Sequence, residues 1–197
     1  MKKALLIASI LFVAVVSTAC INNIAVQELN NKASEFMQKG DYESAMNRLQ
    51  ASLDLDNTMY QTYYNLGVAA INANKYDVAI SALEDGIKIN PDFHDFYYSL
   101  GVAQIGFADK IYESLELKET AKFDTEKEEV ELTTNIENVD KADMIELKKS
   151  AIQNLNKYLE LEPTTKDKQS IDEMIKQCNE FIAESENKSE KKEVVAE

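Results

Sequence analysis

Residues 60–69 read YQTYYNLGVA and residues 94–103 read HDFYYSLGVA. The two stretches share an aromatic residue, two spacers, Leu-Gly and Val-Ala, and they lie 34 residues apart: Tyr63, Leu66 and Gly67 in the first, Tyr97, Leu100 and Gly101 in the second. A fainter copy sits one further period upstream, with Leu29 in the place of the aromatic and Ala33 in the place of the glycine. A period of this length in helical sequence predicts stacked helix pairs, because a single pair cannot bury its apolar face alone. Arrays built this way mostly hold other molecules rather than transform them.

The first repeat runs from about 26 to 59. Its first helix carries Leu29, Ala33 and Phe36; Gly40 ends that helix, since glycine accepts a positive φ; Ala45, Leu49, Ser52 and Leu53 follow on the second. Residues 60–93 repeat the plan with Tyr63, Gly67 and Ala70, a turn at Asn74, then Ala79, Leu83 and Gly86, and Pro91 stops the second helix. Small residues (Ala33, Gly67, Gly101; Ala45, Ala79) mark where paired helices cross closely, and Tyr63, Leu66 and Leu83 fill the space beside them.

These residues follow the order W-x2-L-G-x2-Y, then A-x3-F, then P, and over residues 26–163 the chain resembles tetratricopeptide-repeat proteins. The resemblance implies an all-α fold, an α-solenoid of three TPR-like helix pairs closed by a C-terminal capping helix. The third pair, about 94–163, departs from the period. Its second helix is expected only from Ala151, because Pro91 and Pro163 lie 72 residues apart. Ile105, Ala108, Ile111, Tyr112 and Leu115 keep helical spacing and lengthen the first helix. The remainder, about 118–140, is rich in Glu and Thr, and its composition favours a disordered loop over an ordered arm. From Lys168 to Glu184 the stripe Ile171, Met174, Ile175, Cys178, Phe181 and Ile182, backed by charged residues, is the one-sided cap that a solenoid needs. Residues 185–197 read as a disordered charged tail.

The start of the chain carries a second pattern. Lys2 and Lys3 precede the apolar run Ala4 to Val16, which ends in Ser17, Thr18 and Ala19; this is the order of a secretory signal peptide over residues 1–19, too short for a membrane span. Cys20 follows at once, so STAC resembles the lipobox of bacterial lipoproteins, with Ser17 where that family favours Leu. The resemblance implies that Cys20 is acylated (a palmitate-type lipid) and that residues 20–25 form a tether. Several acyl chains hold firmly where one holds marginally, at about 0.8 kcal/mol per buried CH₂. An ordinary secreted protein, or an uncleaved N-terminal anchor, is the reading without lipidation.

The formal charge of −14, with Arg48 the only arginine and no basic stripe, excludes nucleic acid as a natural partner. An anionic membrane surface would also repel the domain, so attachment falls to the lipid. Catalysis finds no motif. His94 is the only histidine, no glycine-rich phosphate loop exists among five glycines, and Glu128–Glu129 reads as a solvated charge run. No metal site, no cofactor beyond the lipid on Cys20 and no small-molecule substrate is expected. Cys178, on an apolar helix stripe, reads as a small buried hydrophobe.

A second stripe on the first helices is the candidate site. Tyr64, Val68 and Ile71 recur as Tyr98, Val102 and Ile105, with Asn30, Ser34 and Met37 in the first repeat. In tetratricopeptide-repeat proteins the matching positions line a concave groove that takes peptides or partner helices. The same spacing also fits packing against the neighbouring repeat. A carboxylate-clamp subfamily needs Lys or Arg across that groove; this chain has Asn30, Asp95 and Ser99 there, and Asn65 alone cannot hold a carboxylate. The expectation is a membrane-tethered protein-interaction scaffold of the bacterial cell envelope, held on the periplasmic face of an outer membrane or the outer face of a plasma membrane. It would bind a protein or peptide in envelope assembly or regulation. A solute- or lipid-binding carrier is the alternative.

Overall fold

The computed structural model describes the backbone of residues 23–123 and 141–195 and the side chains of 23–117 and 142–186. Among the described residues the regular elements are all helices: α1 (23–38), α2 (Tyr42–Leu55), α3 (Tyr60–Asn72), α4 (Tyr76–Ile89), α5 (Asp95–Phe123), α6 (Lys141–Leu161) and α7 (Lys168–Val195). They form three pairs, α3–α4 and α5–α6 by their contacts and α1–α2 through the shared core and the Asn30–Ser52 bond, with α7 laid on α6. Residues 1–22, which include the expected signal peptide and Cys20, lie outside the described residues, whereas 23–25, assigned above to a tether, already belong to α1.

Two turns of the same backbone geometry set the register. Gly40 (φ 75°) and Asn74 (φ 56°) are both left-handed and one period apart. Asp41 N–H donates to the Phe36 carbonyl at 2.9 Å and Lys75 N–H to the Ala70 carbonyl at 2.9 Å, the six-to-one bond that closes a helix C-terminus. Asp41 then caps α2 through its side chain, accepting from Ser44 N–H at 3.1 Å. One further period on, the position belongs to Ala108, the strongest helix former and fully buried, and no turn forms.

The third pair is consequently long, and the sequence reading needs three corrections. α5 continues to Phe123, so 118–123 are helical rather than loop; 124–140 lie outside the described residues. α6 starts at Lys141, ahead of the expected Ala151. Ala108, Ile111 and Met144 form an extra core layer there, with Phe107, Leu115, Leu147 and Phe181 packed on it. α7 runs past Glu184 to Val195, because the lengthened α6 gives it a longer partner: Ser185 is buried and Glu186 reaches Lys149 Nζ at 3.4 Å. Residues 196–197 are outside the described set.

Lys148 fastens this layer. It is buried on α6, its Nζ lies 2.7 Å from Asp109 Oδ1 of α5, and it sits 4.7 Å from the centre of the Phe181 ring of α7. A desolvated cation paired with one carboxylate and one aromatic face ties three helices at a single point.

The repeats themselves cross at glycine. A Cβ on Gly67 would stand 2.5 Å from Leu83 Cδ2, and one on Gly101 2.8 Å from Leu155 Cγ, with both leucines fully buried. Between repeats, Gly86 makes the room that the buried ring of Phe96 fills. Adding a methyl at Gly67 should cost about 1–3 kcal/mol in overpacking, against about 1 kcal/mol of regained helix propensity. Urea denaturation should therefore show Gly67→Ala less stable by about 1 kcal/mol and Leu83→Ala by about 2–5 kcal/mol. The double variant should lose clearly less than the two losses added; strict additivity would separate the two sites.

Candidate functional site

The structure distributes the predicted groove residues over three environments. Asn30 is part-buried and its side chain is already engaged. Its Nδ2 donates to Ser52 Oγ at 2.8 Å and to the Val26 carbonyl at 2.9 Å, and its Oδ1 accepts from Thr62 Oγ1 at 3.2 Å. Ser52 and Thr62 are buried, so Asn30 is a polar stitch between α1, α2 and α3. Met37 and Ile71 pack on the first core and Ile105 on the third.

The tyrosines pack against aromatic neighbours, Tyr64 on the next repeat and Tyr98 on the second helix of its own pair. Tyr64 meets the rings of Phe93 and Phe96 edge-on at 5.2 and 5.8 Å, and Tyr98 meets Tyr158 of α6 at 5.5 Å. Burial pushes the Tyr64 phenol above its usual pKa, with the Ser99 hydroxyl acting against the rise. That leaves Ser34, exposed, and Val68 and Val102, half-buried and outside the core clusters.

Those three residues are one period apart, and the rest of their helix face follows by the same step. α1 presents Gln27, Asn31, Ser34 and Gln38; α3 presents Gln61, Asn65, Val68 and Asn72. The same steps on α5 reach Asp95, Ser99, Val102 and Gly106, where Ser99 is buried and Gly106 is covered by the Tyr76 ring, so that Asp95 and Val102 alone continue the face. On α3 this face lies away from Gly67, which meets α4, and away from the buried Thr62, Leu66 and Ala69. In a chain of charge −14 this stripe has a single ionisable residue, Asp95. The sequence reading passed over Gln27, Asn31, Gln38, Gln61 and Asn72 because it followed apolar residues; the 34-residue step applied to Val68 and its neighbours finds them.

The residues with latent chemistry lie elsewhere. His94 Nδ1 is buried 3.0 Å from Asp95 Oδ1 without hydrogen-bonding geometry, a close approach rather than a bond, and its ring stacks on Phe93 at 6.0 Å. Burial pushes the Cys178 thiol above its usual pKa, with Lys148 opposing, which keeps it protonated and unreactive. Among the described residues no His, Cys, Asp and Glu groups converge as a metal site, and no helix is long and apolar enough to cross a membrane.

Comparison with known proteins places these features. A tetratricopeptide-repeat family model matches residues 36–105. Solved structures with the same fold include the first TPR domain of human RPAP3, 17% identical over 82% of this chain and 95% of that one, TM-score 0.55. The TPR2B domain of yeast Sti1, in its pHsp70 complex, is 14% identical over 80% and 98%, TM-score 0.56. The Yersinia enterocolitica type III secretion chaperone SycD, in complex with a peptide of the translocator YopD, is 16% identical over 78% and 92%, TM-score 0.53. No curated protein sequence matches the chain.

Stitch and free face are separable by stability. Asn30→Ala strands two buried hydroxyls and should cost about 1–3 kcal/mol in urea denaturation. Ser34→Lys, on the free face, should shift stability by less than about 0.5 kcal/mol. Equal effects at the two positions would remove the distinction.

Proposed function

We propose that this chain, which matches the tetratricopeptide-repeat model over residues 36–105 and shares the fold of its members, is a non-catalytic scaffold. Its inner face, on α1, α3 and α5, docks a segment of a partner protein. The observation that carries the reading is the stripe through Ser34, Val68 and Val102, which carries one ionisable residue, Asp95, on a chain of charge −14. Uncharged amides and half-buried valines suit a polar-to-apolar segment that binds through main-chain hydrogen bonds and apolar contact. The fold neighbours support a peptide-binding role, since one is bound to an HSP90 peptide, SRMEEVD, and another to a peptide of YopD. The acidic end of the former calls for basic side chains, and this stripe has none, so the partner segment differs in chemistry.

The N-terminal pattern supplies the place. Lys2, Lys3, the apolar run and Cys20 support cleavage before Cys20, lipid attachment at its sulfur and residence in a bacterial cell envelope, with assembly or regulation there as the role.

A photo-crosslinking residue placed at Val68 or Val102 in living cells should capture a protein adduct. The same residue at Arg48, exposed on α2, should capture none. Val68→Lys/Val102→Lys should cut capture at least about tenfold, the scale of losing a few apolar contacts. Adducts from Arg48 alone would move the site, and a small molecule or lipid retained through purification without protein adducts would make the chain a carrier. Separately, Cys20→Ser should move the protein from the membrane to the soluble fraction; continued tight membrane association would sink lipid tethering.

A further inference from the structure

The opposite face of the solenoid carries a feature that the inner stripe does not use. α2 and α4 flank a cleft of about 530 Å³. Leu53, Leu66 and Ala82 give it an apolar floor, and Asp54, Asp77 and Asp85 give it three carboxylates. The last turn of α2 holds no basic residue, so the negative end of that helix adds to the field. Asp77 meets no cation among the described residues, and Asp85 is paired only with the exposed Lys88, at 2.8 Å.

Moving one repeat along the solenoid inverts these charges. Gly67 meets Leu83 as Gly101 meets Leu155, which makes α4 and α6 equivalent helices. That equivalence carries Asp54 onto Lys88, Asp77 onto Lys149 and Asp85 onto Lys157. The repeat fold fixes the apolar residues at each step and leaves these surface positions free, so a reversal at all three is a property of the surface. Glu84, at the step equivalent to Gln50, is the one carboxylate among the mapped positions of the lysine strip. The lysines now rest on neighbouring carboxylates, Lys88 on Asp85, Lys149 on Glu186 at 3.4 Å and Lys157 on Glu160 at 3.1 Å. All of these are exposed pairs, which hold weakly and exchange readily.

We propose that the occupant of the aspartate cleft is a second copy of this chain, presenting its Lys88, Lys149 and Lys157 strip. A two-fold axis along α4 sets α2 of each copy against α6 of the other. Each copy then gives a cleft and receives one, and the interface closes at a dimer instead of growing into a filament. The net charge of the two copies is repulsive at long range, so the pairing is favoured where salt screens distant charges but not contacts, near 0.1 M, and is lost near 1 M. This leaves the inner stripe free in both copies.

Sedimentation equilibrium of the full chain in density-matched detergent tests the pairing. The parent should be dimeric at 0.1 M salt, with its Kd raised at least about tenfold at 1 M. Asp54→Lys/Asp77→Lys/Asp85→Lys and Lys88→Asp/Lys149→Asp/Lys157→Asp should each be monomeric alone and should form a heterodimer when mixed. If reversal damages the helical signal, Asp54→Asn/Asp77→Asn/Asp85→Asn keeps the shapes and should raise Kd at least about tenfold. A parent monomeric at 0.1 mM would overturn the proposal, including one whose cleft retains a lysine-rich peptide instead. A dimer indifferent to these substitutions, or reversed variants that stay apart when mixed, would overturn it equally.

Discussion

The architecture depends on how closely two helices of a pair can approach. At Gly67 and Gly101 the absence of a side chain lets a fully buried leucine of the partner helix reach the backbone, 2.5 and 2.8 Å from where a Cβ would stand. Everything else in the repeat follows from that distance. With Leu83 and Leu155 seated, Ala79 and Ala151 lie fully buried on the same helices, and the larger residues fill the flanks. Gly86 applies the same device between repeats, giving Phe96 a buried place from which it contacts Tyr60, Tyr64 and Phe93.

The second constraint is where a helix is allowed to stop. Gly40 and Asn74 adopt a positive φ and close their helices with the same pair of backbone bonds. Ala108 at the third step does neither, and the consequence spreads through the C-terminal half. α5 and α6 outgrow the repeat, a new core layer forms around Ile111 and Met144, and α7 lengthens to cover it. The buried Lys148, held by Asp109 and the face of Phe181, is the polar clasp of that layer. A loss of turn chemistry at one residue thus accounts for the largest departure from the repeat plan.

The solenoid separates its surface chemistry by face. The inner stripe is nearly free of charge, while the outer face of α2, α4 and α6 concentrates charges of opposite sign in successive repeats. Packing dictates which positions are buried and leaves the rest to vary independently, which is how a repeat array can carry two surfaces of different character. The aromatic residues that look like binding groups in the sequence are largely used up in stacking one repeat on the next. Tyr64 is consumed this way, and Tyr98 by Tyr158 of its own pair, because a helix of a solenoid has neighbours on two sides and an apolar residue near the boundary is drawn toward the neighbour.

The sequence by itself determined the repeat, its period, the pairing of helices and the crossing residues, because glycine, alanine and proline at fixed steps admit few other backbones. It also determined the charge balance and the N-terminal Lys-apolar-Cys pattern, which are properties of composition and order. The length of α5, the early start of α6 and the reach of α7 were not legible, since composition alone does not say where a helix rich in Glu and Lys ends. Nor was the division of the second stripe into stitch, packing and free face. Asn30, Tyr64 and Val68 lie within a few residues of one another in the repeat frame, and only the positions of Ser52, Thr62, Phe93 and Phe96 decide which of them has anything left to bind.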